Sequence, residues 1–170
     1  MSEFERPVCL PVLALRGLCV FPKMLTHFDV GRKSSMAAVE EALREDQQIF
    51  LVTQKDVETD HPKRNDLYTV GTVSIVKQVL RLPGENMRIL VEGQYRAELL
   101  DIVQSEPYLF GRMQKLEELP YNHSLPRVEA LLRQAHSQFE QFAELSGRNM
   151  QEALLRLLTS EDAGYTADFI

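Results

Sequence analysis

The stretch Leu10 to Met24, LPVLALRGLCVFPKM, constrains this chain more than any other. An apolar run from Val8 to Leu15, interrupted by Pro11, is closed by Arg16-Gly17. A second run, Leu18 to Phe21, stops at Pro22. A continuous apolar run bounded by turn residues predicts a strand buried on both faces. Glycine opens a turn geometry closed to other residues, and Pro22 has no N–H to donate to a sheet ladder. The chain therefore opens with a core strand, a tight corner and an exposed loop.

Later segments supply a sheet for that strand to join. Thr26 to Val30 reads as a second short strand, ended by Gly31. Ser34 can cap a helix whose apolar positions, Met36, Val39 and Leu43, recur three and four apart. Glu40, Glu41, Arg44 and Glu45 fall on its solvated side. Ile49 to Thr53 reads as a buried strand, and Gln54 to Asp66 as a polar loop around His61-Pro62. Val70 to Arg81 is the longest strand candidate, with a hairpin turn at Pro83-Gly84 leading into Met87 to Val91. A second turn is expected at Glu92-Gly93-Gln94, then strands over Tyr95 to Val103 and Tyr108 to Met113. Six or seven short strands with one early helix fit a mostly antiparallel, barrel-like sheet. Parallel βαβ units would need a helix at nearly every crossover.

The pattern changes near Pro120, which places a β domain over residues 1–118 and a helical subdomain over 119–170. Ser124 can cap a long helix that tolerates Pro126 in its first turn. Val128, Leu132, Ala135, Phe139 and Phe142 form a heptad stripe that needs a partner surface. Gly147 stops this helix where a left-handed residue is wanted. Asn149 and Glu152 then make a capping-box-like start for a helix carrying Leu154, Leu155, Leu157 and Leu158.

Composition narrows the chemistry. With 170 residues, 44% hydrophobic and 26% charged, the chain has a globular composition. A net charge of −6 argues against a nucleic-acid binder, whose affinity rests on Lys and Arg neutralising phosphates. The longest basic cluster, Pro62-Lys63-Arg64, lies beside Asp60 and Asp66. Cys9 and Cys19, the only cysteines, sit in apolar sequence and read as buried free thiols. His27, His61, His123 and His136 have no metal-type spacing, and His136 reads as a helix-surface or core-edge side chain. Gly31-Arg32-Lys33-Ser34 lacks the earlier glycine of a phosphate-binding loop and reads as a strand-to-helix corner. No Gly-x-Ser-x-Gly string marks a nucleophile elbow. No catalytic, metal or cofactor site is expected in these residues. The amino terminus lacks the basic start and unbroken apolar core of a secretory signal, and no window reaches the ~18 apolar residues of a membrane span. A cytoplasmic location is the expectation.

The same letters carry a resemblance. LPVLALRGLCVFPKM is similar to the opening of the amino-terminal domain of Lon, the ATP-dependent serine protease. Val30-Gly31-Arg32-Lys33-Ser34, Val70-Gly71-Thr72-Val73, and Leu90-Val91-Glu92-Gly93 with Arg96-Ala97 follow in the family's order. Ala14 stands where the family usually has proline, and Lys23 where it has glycine. The second departure implies a loop that does not need positive φ there, or tolerates some strain. The resemblance implies a PUA-like β fold, helical residues after it, and ATPase and protease domains beyond residue 170. On that reading this is a fragment of an AAA+ serine protease of protein quality control. It lacks catalytic residues of its own, and ATP and magnesium belong to the full-length protein.

What remains is a binding surface. Phe21, Pro22, Met24 and Leu25 put large apolar groups in a loop, and Leu80, Leu82 and Met87 do so around a hairpin tip. These seven residues are the expected contacts for exposed apolar segments of unfolded or damaged proteins. Val128, Leu132, Phe139 and Phe142 are the expected self-association residues, within a ring in the full-length protein or a dimer of the fragment. Two other readings stand beside this one. An RNA-binding PUA-like module would rest on Tyr95-Arg96, Arg81 and Arg88. A purely structural domain would use its long helix for oligomerisation.

Overall fold

A computed structural model describes residues 6–119, 122, 125–147 and 150–170. They divide into two compact units, residues 1–117 and 118–170. The first holds strands β1 (Val8–Leu15), β2 (Leu25–Val30), β3 (Gln48–Thr53), β4 (Val70–Leu82), β5 (Asn86–Gln104) and β6 (Leu109–Lys115). One helix, α1 (Lys33–Arg44), lies between β2 and β3.

The strands form one sheet in the order β2-β5-β4-β3-β1-β6, and β6 also pairs with β5. That extra pairing closes five strands into a pseudo-barrel with β2 attached outside it. Only β1 and β3 run parallel; the other pairs are antiparallel. The fold is the α+β, mostly antiparallel arrangement expected. The opening strand is buried on both faces. Leu13 and Leu15 belong to one core cluster with Val39, Ile49 and Ile89, while Val12 and Ala14 belong to another with Phe50 and Leu99. Alternate side chains of a strand point to opposite faces, so an unbroken apolar run feeds two cores at once.

Several local expectations are corrected. α1 has Arg32 at its N-cap and no side-chain cap, so Ser34 does not cap it. Ala38, Val39 and Ala42 are buried while Leu43 is exposed, so the helix turns its alanine side, not Leu43, to the core. Glu92-Gly93-Gln94 is not a turn: β5 runs straight through it, with a register shift where Gly93 pairs Ser74 and Tyr95 pairs Val73. The extra residue is a β-bulge, so this sheet has six strands, the lower of the two expected counts. Cys9 and Cys19 are both exposed, not buried. Cys9 lies where β1 outruns the core, and the Cys19 Sγ sits 3.2 Å from the Thr53 hydroxyl in the loop after the corner. Apolar neighbours in sequence did not become neighbours in space.

The second unit holds α2 (Pro126–Ser146), α3 (Gln151–Leu158) and α4 (Ala163–Phe169). Pro126 occupies the first turn of α2, and Gly147 ends it in the left-handed conformation at φ 64°. The expected caps Ser124 and Asn149 lie outside the described residues, as does His123. α3 begins after Met150 with no side-chain cap, so Glu152 closes no capping box there. Asp162 does cap α4, accepting from the N–H groups of Gly164 and Tyr165.

Candidate functional site

The β2–β5–β4 ribbon turns one face to the cores and the other to solvent. Thr26, Phe28 and Val30 pair with Val91, Ile89 and Met87 on the inner face. Leu25, His27 and Asp29 pair with Glu92, Leu90 and Arg88 on the outer face. Across β5, Ile75, Gln78 and Leu80 meet those same three β5 residues. The outer face thus mixes apolar side chains with two ion pairs. Arg88 donates to both oxygens of Asp29, from Nε at 2.6 Å and from a terminal nitrogen at 3.0 Å, and Lys77 meets Glu92 at 2.6 Å. The Arg88 hydrogen bonds hold the Asp29 carboxyl below the ordinary carboxylate range, and Asp29 in turn raises Arg88.

Leu25 and Leu80 are 61% and 55% exposed on this face. Two strand spacings and a four-residue offset put them roughly 17 Å apart. Phe21, 36% exposed, stands in the loop just before β2, with the Arg96 guanidinium 5.7 Å from its ring centre. A close approach fixes that loop. Lys23 N–H donates to the Gly93 carbonyl at 2.8 Å, and Gly93 N–H donates to the Met24 carbonyl at 2.9 Å. A Cβ on Gly93 would lie 2.1 Å from the Phe21 carbonyl oxygen. Lys23 adopts φ 64°, so the loop does need positive φ where the family usually has glycine, and carries lysine there.

The structure separates the seven expected contacts. Phe21, Leu25 and Leu80 are exposed, and Pro22 and Leu82 are half-buried. Met24 is half-buried against the first core cluster. Met87 is only 4% exposed and belongs to that core, so it is corrected from surface to interior: its β5 position is on the inner face. Leu82 and Met87 line a recess of about 410 Å³ against Met36 and Ala37 of α1, bridged by Arg81 to Glu40 at 3.0 Å.

In the helical unit, Phe139 is 7% exposed, its ring packed 6.1 Å from Phe169 of α4. The stripe finds this partner inside the chain, which removes Phe139 from the expected self-association surface. Val128 and Leu132 are half-buried, and Phe142 remains 57% exposed. His136 is half-buried on α2, as a core-edge side chain. The cations that RNA binding would use are engaged otherwise: Arg81 with Glu40, Arg88 with Asp29, Arg96 over Phe21.

Sequence reasoning missed a second concavity of about 910 Å³ in the β unit. The two basic clusters it singled out, Arg32-Lys33 and Lys63-Arg64, line the same cavity. A chain distance of some thirty residues hid that meeting. The Arg32 guanidinium donates to the Ala14 carbonyl, to Gln54 Oε1 at 3.1 Å and to the Asp60 carbonyl at 3.3 Å. Burial pushes its pKa down, helped by Arg16 and opposed by Asp60. The Asp60 carboxylate itself is held by Arg16 at 2.7 Å, which lowers its pKa. Among the described residues no group of His, Cys, Asp and Glu could hold a metal ion.

A mostly antiparallel pseudo-barrel followed by three helices defines an α+β architecture. The chain belongs to the substrate-binding domain family of the ATP-dependent protease La (LON), whose family model matches residues 9–170. It is 42% identical over 161 residues to the Lon protease of Syntrophomonas wolfei, covering 95% of this chain and 20% of that protein. It is 43% identical over 164 residues to the Lon protease of Desulforamulus reducens, with the same coverage, 95% and 20%. The chain thus spans about a fifth of the length of these relatives. Its fold is that of the N-terminal domain of a Mycobacterium avium complex Lon protease: TM-score 0.75, 20% identity, 95% of this chain and 80% of the other. The Lon N-terminal domain protein of Xanthomonas campestris superposes with TM-score 0.56 at 14% identity, covering 91% and 92%. No helix among the described residues is long and apolar enough to cross a membrane.

Proposed function

We propose that this domain recognises exposed apolar segments of unfolded or damaged proteins for a longer, Lon-type ATP-dependent serine protease. One observation carries the reading: Leu25, Leu80 and Phe21 stand exposed on one ribbon and its entry loop. An extended segment of about five residues spans the distance from Leu25 to Leu80. Covering a half-exposed leucine returns on the order of 1 kcal/mol, so one domain binds weakly and tolerates many sequences. Several copies in a ring multiply that weak affinity. The exposed Phe142 on α2 supports a part in assembly. ATP hydrolysis, with magnesium, and peptide cleavage belong to domains outside these residues.

The test is binding to a permanently unfolded protein, such as reduced and carboxymethylated lactalbumin, against its native form. Phe21→Ser, Leu25→Ser and Leu80→Ser are combined in one variant; Met24 is left intact because it packs on the core. Preference for the unfolded form, weakened at least roughly tenfold in the variant, is expected. Equal binding of both forms, or preference retained by the variant, rejects this surface.

A further inference from the structure

We propose that the cavity between the first turn of α1 and the loop after β3 binds carboxylate groups of peptides that carry an apolar residue beside the carboxylate. Its charge is the first reason. Arg32, Lys33, Lys63 and Arg64 line it against two carboxylates, Asp60 and Glu106. Asp60 is already taken by Arg16, which is not part of the lining. The Arg32 and Arg64 guanidinium groups donate to backbone carbonyl and amide oxygens, not to carboxylates. A local excess of cations in a chain of net charge −6 is an electrostatic exception concentrated in one concave place.

The start of α1 forms part of the wall. Ser35, 8% exposed, lines the cavity beside Lys33 and Ser34. Helix N-termini favour negative charge, which adds to the excess of cations in the lining.

The rest of the lining selects the class of ligand. Val12, Ala14, Ile102 and Leu109 give the cavity an apolar wall, and about 910 Å³ is far more than a bare anion fills. Apolar walls with a few convergent polar groups suit an amphipathic ligand. A peptide carboxylate flanked by leucine or valine matches both parts; a nucleic-acid strand would meet Glu106 and find no Phe, Tyr or Trp to stack on, only the exposed His61 ring. The inference adds to the client-recognition reading a second contact of different chemistry, on different residues.

The carboxylate could be a chain terminus or an acidic side chain, and the experiment separates them. Three fluorescein-labelled hexapeptides are titrated: Gly-Ser-Gly-Leu-Val-Leu as the free acid, the same sequence as its amide, and the amide with glutamate in place of valine. The free acid or the glutamate peptide, or both, should bind at least about tenfold tighter than the plain amide, and added salt should weaken them. Lys33→Glu with Lys63→Glu, two exposed positions, should abolish that difference, and Glu106→Gln should increase it. The Leu25→Ser and Leu80→Ser changes should leave it untouched, so failure here and failure of the apolar surface are read separately. Equal binding of all three peptides, no response to charge reversal, or tighter binding of a uridine hexanucleotide overturns the proposal.

Discussion

At the residue scale, Gly93 shows how a correct letter can be given the wrong job. Its neighbours Glu92 and Gln94 made it look like the centre of a turn, yet the backbone stays extended within β5. The missing side chain serves a close approach, because the Phe21 carbonyl occupies the space a Cβ would need. A sequence carries no mark that distinguishes glycine for curvature from glycine for contact. Gly93→Ala is therefore expected to destabilise the β unit by about 2 kcal/mol, as overpacking does. Gly31→Ala, whose added carbon would meet only the movable Asn86 side chain, serves as the mild control. Urea unfolding of both variants checks this; equal midpoints would show that the loop yields freely. Lys23 teaches the complementary lesson. Its positive φ follows from the loop's two hydrogen bonds to Gly93, which no single-residue preference reveals.

Elements were most legible where one physical pattern dominated. The run from Val8 to Leu15 is a strand with two buried faces, because unbroken apolarity leaves no solvent side from Pro11 onward. The α2 stripe was equally visible, but its partner was not: the α4 residues that receive Phe139 lie about thirty positions away. The apolar hairpin tip was read correctly as a turn at Pro83-Gly84, while strand parity, which decides that Leu80 faces out and Met87 in, required the register. That register also brings Asp29 of β2 against Arg88 of β5. The pairing depresses the folded-state pKa of Asp29 below 3.8, its ordinary value. A depressed carboxyl stabilises above its unfolded pKa and loses that contribution as pH falls through the folded one. The β2 clip should thus hold at neutral pH and release only in acid below 3.8. Carboxyl NMR should place the Asp29 midpoint below 3.8 and return it toward that value in Arg88→Gln. An unchanged midpoint in the variant would mean that Arg88 is not the cause.

At the scale of the whole molecule, the change in pattern near Pro120 announced two regions, and the described residues divide at 117 and 118. The exposed outer ribbon was half legible: apolar letters marked Phe21, Leu25 and Leu80, but burial alone could remove Met87 and discount Met24. The basic cavity was not legible at all, since two short cationic strings at distant positions look solvated until the fold joins them. Both core clusters of the β unit are built only from residues between Leu10 and Met113. No side chain of the helices α2 to α4 contributes to either cluster. A hydrophobic core complete within one stretch is the condition for independent folding. The isolated segment 1–117 is therefore expected to unfold in a single cooperative transition, with a urea midpoint close to that of the β unit in the 170-residue chain. It should also keep the apolar ribbon and the cavity, so both binding tests can be repeated on it. A broad, non-cooperative transition would mean that the helices contribute to the β core's stability in a way its side-chain clusters do not disclose, and recognition would then have to be assigned to the two units acting together.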